Sequence, residues 1–403
     1  MKKILYNSFL TKTKQKESSF MQTNYTQFRP DLKGVKVIKS YFFENTYHIN
    51  AKRYDKRPKC CNKKMNIKDY RTVNIKDTEY RSKKVIIHVE KQRYVCSCCK
   101  KVVTSKLDFV AFNHSLSKNV EEEVINKIKD VKSFKQVSKE LKISISSVLR
   151  IFDSIVIPSK KLDTSILYMD EFKGNADGEK YQLAIYDRNK KLVTILKNRK
   201  SNTIREFFFT LDVKPKIVVT DLFMQFRNVI RNSLGDVEIV ADKYHFVRQV
   251  EWMIRDLRTR MYNSDIKFKE LKKYWKLLAT SPSRLSDKQL DVLARLKKLD
   301  SSIESCYRYK EHFYRIMETD EIIEFRVEFE GFIEKLESSE IKESLYLGST
   351  FRNWQKEIEN SVKYGINNGF VEGNNNKIKV IKRVSYGIKK FKTLEKLIQL
   401  RIS

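Results

Sequence analysis

The spacing of hydrophobic residues changes several times along the chain, and each change marks an element. In "GFVEGNNNKIKVIKRVSYG", Val371, Ile378, Ile381, Val384 and Ile388 recur at helical spacing. Glu372, Asn376, Lys379 and Arg383 then fall on the opposite face. In "SFKQVSKELKISISSVLRIFDSI", Phe134, Val137 and Leu141 take one face of a helix and "KIS" reads as a turn. Ser144 caps a second helix, whose Val148, Ile151 and Phe152 point back to a core. From about residue 161 short apolar runs take over. "SILYMDEF" predicts a strand ending in Asp170, and "YQLAIYDRNKKLVTILKNR" a hairpin turning at residues 188–190. "SNTIREFFFTL" reads as a helix capped by Ser201 or Asn202, and "PKIVVTDL" as a buried strand ending in Asp221. The helix "FMQFRNVIRNSL" follows, then the short strand "VEIVADKYHF", which runs into Asp242 and His245. Residues 246–364 show only helical spacing. Nearer the N-terminus, residues 46–108 alternate in short β-like runs such as "TVNI" and "KVIIHVEKQRYVC", while residues 1–45 are basic and polar with no assignable element.

A chain of 403 residues is long enough for two or three domains with real cores. At 41% hydrophobic and 12% aromatic residues, most of it folds. Lys and Arg number 83 against 50 Asp and Glu, a formal net charge of +33. An excess of that size points to a polyanionic partner, with nucleic acid first and an anionic membrane surface second. The apolar stretch in "MKKILYNSFLTKTKQ" is too short for a signal peptide, and no run approaches the ~18 residues of a membrane span. The expectation is a cytoplasmic, membrane-free protein.

Five of the six cysteines cluster, and Cys306 stands apart as a buried small hydrophobe. Cys96 and Cys99 have the C-x-x-C spacing of a metal knuckle. "RPKCCNKK" offers adjacent Cys60 and Cys61, with Arg57 where the first cysteine of a second knuckle belongs. A zinc-ribbon-like finger follows from this, because so small a sheet buries too little core alone. Cys60, Cys96 and Cys99 supply three ligands, and Cys61, His88 or His114 a fourth. A degenerate ribbon that folds without metal is the alternative.

The helical pair at 134–153 is a helix-turn-helix pattern, presenting Ser146, Ser147 and Arg150 to a major groove. A plain helical hairpin is the alternative, and the net charge favours DNA. The order from residue 161, a three-strand meander then helix, strand, helix and strand, is that of a ribonuclease-H-like domain. Such a fold sets Asp170 and Asp221 side by side, with Glu372 on a helix against the sheet. Each acid alone reads as a strand-end or capping residue. Together they suit Mg²⁺ or Mn²⁺, two such ions serving phosphoryl transfer. Asn376, Lys379 and Arg383, beside Glu372, then face the phosphodiester backbone.

"GFVEGNNNKIKVIKRVSYG", "MDEFKG", "VVTDLF" and "ADKYHFVRQV" together resemble the bacterial insertion-sequence transposases of the ISL3 family. The resemblance spans most of the chain and implies Asp170, Asp221 and Glu372 as a DDE triad. It also implies that "ADKYH" matches a C/D-x-x-H signature, which sets Asp242 and His245 near the active site in a supporting role.

The expected fold is multidomain, α+β and α/β. A basic segment (1–45) precedes the finger (46–110) and the helix-turn-helix domain (111–160). The ribonuclease-H-like catalytic domain (161–245 and 365–403) is interrupted by an all-helical insertion (246–364). The expected function is Mg²⁺-dependent cleavage and strand transfer at the terminal inverted repeats of a mobile element. The partner is then double-stranded DNA, both element ends and target. A homodimer or higher oligomer working at the nucleoid is expected, because two ends are brought together. Another nuclease of the same fold and a non-enzymatic DNA-binding regulator with a decayed catalytic domain are the rivals.

Overall fold

The computed structural model describes residues 32, 34–111, 114–158, 161–366 and 368–402; residues 1–31 of the basic segment lie outside them. The chain divides into two compact units, Met1–Val156 and Ile157–Ser403.

The first unit begins with β1 (Val35–Phe43), β2 (Thr46–Arg53), the two-residue strands β3 (Lys59–Cys60) and β4 (Lys63–Lys64), β5 (Asn66–Tyr80), β6 (Lys83–Val95) and β7 (Val102–Thr104). The main sheet runs β1-β2-β6-β5, with β7 on β6 and the β2–β6 pair parallel. Alternate residues Ile49, Ala51, Ile75, Val85, Ile87 and Val89 face inward and pack with Leu107 and Phe109, the period of two that a half-buried strand requires. β1 corrects the reading of residues 1–45 as lacking an element. A register shift between Val37 and Lys39 breaks its alternation and hides the period.

Among the described residues, three α-helices follow: α1 (Lys118–Lys129), α2 (Phe134–Glu140) and α3 (Ile145–Ser154). Ser144 caps α3 by accepting from the Ser147 backbone N–H at 3.1 Å. Val148, Ile151 and Phe152 are buried, and the Phe152 ring meets Phe134 at 5.0 Å. Lys76 of β5 donates to the carbonyls of Leu141 and Lys142 at 2.7 and 2.6 Å. A cation thus holds the carbonyls at the end of α2 and ties the α2–α3 turn to the sheet.

The second unit opens with β8 (Ile166–Ala176), β9 (Glu179–Tyr186), β10 (Leu192–Leu196), α4 (Ser201–Phe209), β11 (Ile217–Thr220), α5 (Met224–Leu234) and β12 (Glu238–Ala241). Sheet order is β10-β9-β8-β11-β12, antiparallel through β8 and parallel across β8, β11 and β12. The hairpin turns at Asp187–Lys191, where the buried Asp187 carboxylate accepts from the Lys191 and Asp163 backbone N–H groups at 2.8 and 2.9 Å. Two details differ from the sequence reading. α4 begins at Ser201 with Lys200 as its cap. β8 does not end at Asp170 but continues to Ala176, because Phe172, Gly174 and Ala176 keep facing inward against β9. Gly174 leaves space there for the Gln182 amide, which a Cβ would overlap.

Leu167 and Met169 face α4 and α5 on one side of the sheet. Tyr168 faces the other, where its ring meets Phe370 at 4.9 Å. That side receives α12 (Gly369–Val384), followed by α13 (Phe391–Ile402). Between β12 and α12 every α or β element of the described residues is helical: α6 (Lys243–Ser264), α7 (Glu270–Ala279), α8 (Asp287–Lys297), α9 (Ser301–Ile316), α10 (Ile322–Glu337) and α11 (Lys342–Tyr364). Their core centres on Phe246, Phe313, Phe329, Phe332, Phe351 and Trp354. Cys306 is buried among them, as a small hydrophobe should be. α11 returns to the sheet: Asn360 donates to the Ile239 carbonyl at 2.9 Å, and the buried Glu357 pairs with Arg231 at 2.7 Å.

Lys310 of α9 is fully buried, paired with Glu311 at 2.6 Å and donating to the Thr280 carbonyl at 3.0 Å. Burial holds its pKa below the usual lysine value. Because the unfolded chain binds this proton more tightly, stability rises with pH between the folded value and the ordinary one, and the penalty is full below that window. Lys310→Met is expected to melt within about 1 kcal/mol of wild type at neutral pH, an apolar chain replacing a buried charge at little cost. It should lack the alkaline gain. Lys310→Ala, which leaves a cavity, should lose about 2–4 kcal/mol. Denaturant unfolding at pH 7 and 9.5 measures both.

Candidate active site

The parallel register brings three aspartates level. Val219 pairs with Tyr168 and Thr220 with Ala241. Continuing two pairs along the first register and one along the second sets Asp170 and Asp242 on either side of Asp221, and the Asp242 N–H donates to the Thr220 carbonyl at 2.9 Å. β11 and β12 are short runs that end at these acids, because a carboxylate tolerates the rim of the sheet but not its core.

α6 starts at once from Asp242, whose side chain caps it by accepting from the Tyr244 N–H at 3.4 Å. Its first turn carries His245 back over the rim. His245 Nε2 lies 3.1 Å from Asp221 Oδ1 and 3.6 Å from Asp242 Oδ2. Ligand atoms of Asp170, Asp221 and His245 all lie within 4.8 Å of one another. The opposite wall is α12, from which Asn375, itself buried, donates to Asp170 Oδ2 at 2.5 Å. Glu171, next to Asp170, is held by Arg199 at 2.5 Å.

Crowded acids in a dry place resist ionisation. Burial first, and the Asp242 charge second, push the Asp170 carboxyl up to about 7. Asp221 is held well above the carboxylate range by burial and then by Asp170. Asp242 is raised by burial as well. His245 is drawn down to about 4 by burial and by Arg248. Burial thus opposes the charged form of both His245 and Asp221 where they meet. Asp221 Oδ1 is buried, and among the described residues it faces the His245 ring at 3.1 Å without a well-directed hydrogen bond. Such an acceptor among acids that cannot all ionise is what a bound divalent cation corrects, so the donors present fit such an ion.

Glu372 stands apart from the tight group. It is exposed in the first turn of α12, near enough for its charge to act on Asp242. Asn376, Lys379 and Arg383 share its exposed face, and Lys379 donates to Asn376 Oδ1 at 3.1 Å. Asn375 was not singled out in the sequence, although it sits beside Asn376 on the inward face with Val371 and Ile378. In the first unit Ser146 and Arg150 are exposed on α3 and Ser147 half-buried, its hydroxyl 2.9 Å from that of Ser144.

The cysteines form a second group. Cys60, Cys61, Cys96 and Cys99 bring their sulfurs within 4.8 Å of one another, with Cys60 and Cys99 at 3.5 Å. Left-handed Cys61 and Asn62 make the tight β3–β4 turn that presents adjacent cysteines to one point. The surrounding core is small, built on Met65, Tyr94 and Cys96. Backbone N–H donation from Cys99 draws the Cys96 thiol down to about 7, which favours a ligating thiolate. Cys98 is exposed and outside the group. His88 and His114 are engaged elsewhere, His88 with His48 and Asn74 and His114 with Glu121.

The four-sulfur knuckle and the carboxylate cluster on a mixed sheet are two candidate metal centres, one in each unit. Residues 167–398 match the family model described as "Transposase", of the DDE type ISL3, and the chain belongs to that family. Residues 58–99 match the model described as "zinc-finger of transposase IS204/IS1001/IS1096/IS1165". A search of curated proteins finds no match. Among the described residues, no helix is long and apolar enough to cross a membrane.

Proposed function

We propose that this transposase cuts and rejoins DNA at the terminal inverted repeats of its own element, with Asp170, Asp221 and Glu372 as its DDE carboxylates. The observation that carries this reading is the convergence of Asp170, Asp221 and His245 ligand atoms within 4.8 Å of one another, with Asp221 Oδ1 buried and lacking a well-directed hydrogen bond among the described residues. Asp170 and Asp221 would hold Mg²⁺ or Mn²⁺ from the sheet, and Glu372 would join them from α12. Bound there, the ions supply the Lewis acidity that phosphoryl transfer needs. Asn375 fixes the Asp170 carboxylate, and His245 and Asp242 keep Asp221 in place. Lys379 and Arg383 neutralise phosphates beside the cut.

The mixed sheet supports a ribonuclease-H-like assignment for 161–245 and 365–403, with 246–364 as the helical insertion. The four-cysteine knuckle supports Zn²⁺ in the finger assigned to 46–110, and the capped α3 supports a recognition helix in 111–160. Action on paired ends calls for at least a dimer on the nucleoid.

Purified protein should cut duplexes carrying the inverted repeats that flank its gene, in Mg²⁺, leaving 3′-hydroxyl ends. No cutting in Mg²⁺ or Mn²⁺, with binding intact, would favour the regulator reading; structure-dependent cutting of any sequence would favour a general nuclease.

Binding roles separate by salt and sequence. Arg383→Ala should weaken binding to all DNA alike and lower the salt slope by about one. Arg150→Ala should cost about 1–3 kcal/mol on the element end and far less on random duplex. Equal loss on both DNAs would remove α3 from sequence reading.

A further inference from the structure

α6 buries Phe246, Val250, Met253, Leu257 and Met261 along one face. A helical projection sets Tyr244, Arg248, Trp252, Arg255, Thr259 and Tyr262 in one stripe opposite them. A solvent face is ordinarily charged and polar, but here rings alternate with arginines. The Arg248 guanidinium lies 5.5 Å from the Tyr244 ring centre and 4.6 Å from that of Trp252. Arg255 covers Trp252 at 5.2 Å, and Lys272 covers Tyr262 at 5.2 Å. Arg255 also pairs with its neighbour Asp256, at 2.9 Å. Arg248 makes no ion pair or hydrogen bond among the described residues. The stripe starts two residues after Asp242 and runs for about 27 Å at the helical rise.

A guanidinium lying on a ring keeps its in-plane N–H donors directed outward and gives up little freedom when it binds. That geometry suits bidentate contact with phosphate. Aromatic residues held on a solvent face by their cations, beginning at the carboxylate cluster, are not needed by the helix core.

We propose that this stripe is a phosphate track for the DNA strand on the α6 side of the cut, opposite Lys379 and Arg383 of α12, with Trp252 positioning Arg248 and Arg255. The location relative to the cut rests on reading the aspartate cluster as the cleavage centre; the binding itself does not.

The test is a salt titration of the full chain on random duplex and on single strand of the same length, with melting temperature as a control. Arg248→Gln with Arg255→Gln should lower the salt slope by about two and weaken binding at least tenfold at fixed salt. Trp252→Ala should keep the slope and weaken binding about two- to fivefold, and Trp252→Phe should restore most of it. Loss on duplex and single strand alike indicates backbone contact. Wild-type slope and affinity in the double variant on both DNAs would overturn the track, as would reduced cleavage at unchanged binding. If the Gln pair fails to fold, Arg248→Lys with Arg255→Lys reads the same claim: the slope is kept and affinity falls several-fold, and unchanged affinity overturns it. A lowered slope in a protein that never cuts would leave the track standing and the cleavage reading defeated.

Discussion

Asp221→Asn should reduce strand cleavage in Mg²⁺ by about 10³-fold or more while binding to element ends stays within a few-fold. The expectation follows from position: Asp221 is the middle of three level acids, and among the described residues its buried Oδ1 faces only the His245 ring, without a well-directed hydrogen bond. Losing one anionic ligand removes several kcal/mol of transition-state charge stabilisation, and each 1.36 kcal/mol is tenfold in rate, so about 4 kcal/mol gives this loss. Asp170→Asn and Glu372→Gln should behave alike. His245→Ala should cost less, about 10–100-fold, because it acts by holding Asp221. Gel assays of cleavage and binding on the same duplex separate the effects. A variant at any of the three that cleaves at wild-type rate removes that residue from the set.

The second large effect concerns the finger. One zinc per chain is expected by elemental analysis. Ser in place of Cys60, Cys61, Cys96 or Cys99 should release it, and Cys98→Ser should not. Structural zinc is worth roughly 10–16 kcal/mol of apparent binding energy at neutral pH, far more than the small core on Met65 and Tyr94 can replace. The main sheet has its own core on Ile49, Ile75 and Ile87, so the loss should be local. Chelation should therefore raise hydrogen exchange in β3, β4 and β7 and spare β2 and β6. Metal-free protein with unchanged exchange would mean that the ribbon folds on its core alone.

Much of the architecture was legible where period and punctuation agree. The α2–turn–α3 pair could be read from Ser144 and its apolar spacing, and β11 from three apolar residues and a threonine stopped by Asp221. β1 was not, because its bulge and interspersed lysines erase the alternation. The end of β8 was misplaced because Asp170 looks like a terminator, although pairing with β9 carries the strand on. At the site, the aspartates stand out because acids at strand ends are conspicuous. Asn375 does not, since one asparagine among three consecutive ones carries no mark of a role. Helical projection separates them, and only burial against β8 assigns the hydrogen bond. The adjacent pair Cys60–Cys61 was ambiguous as a ligand source for a similar reason: the left-handed turn at Cys61 and Asn62 that lets both sulfurs converge has no signature in spacing.

On the proposed reading, Asp170 and Asp221 together hold a divalent ion, and this binding can be seen directly. It is tested most directly by anomalous diffraction from crystals of the full chain grown with Mn²⁺. A peak is expected about 2.0–2.2 Å from carboxylate oxygens of both residues, with Glu372 turned towards it, and no peak there in Asp221→Asn crystals. Ordered, unprotonated carboxylates at both positions with Mn²⁺ bound elsewhere, or nowhere, would contradict it.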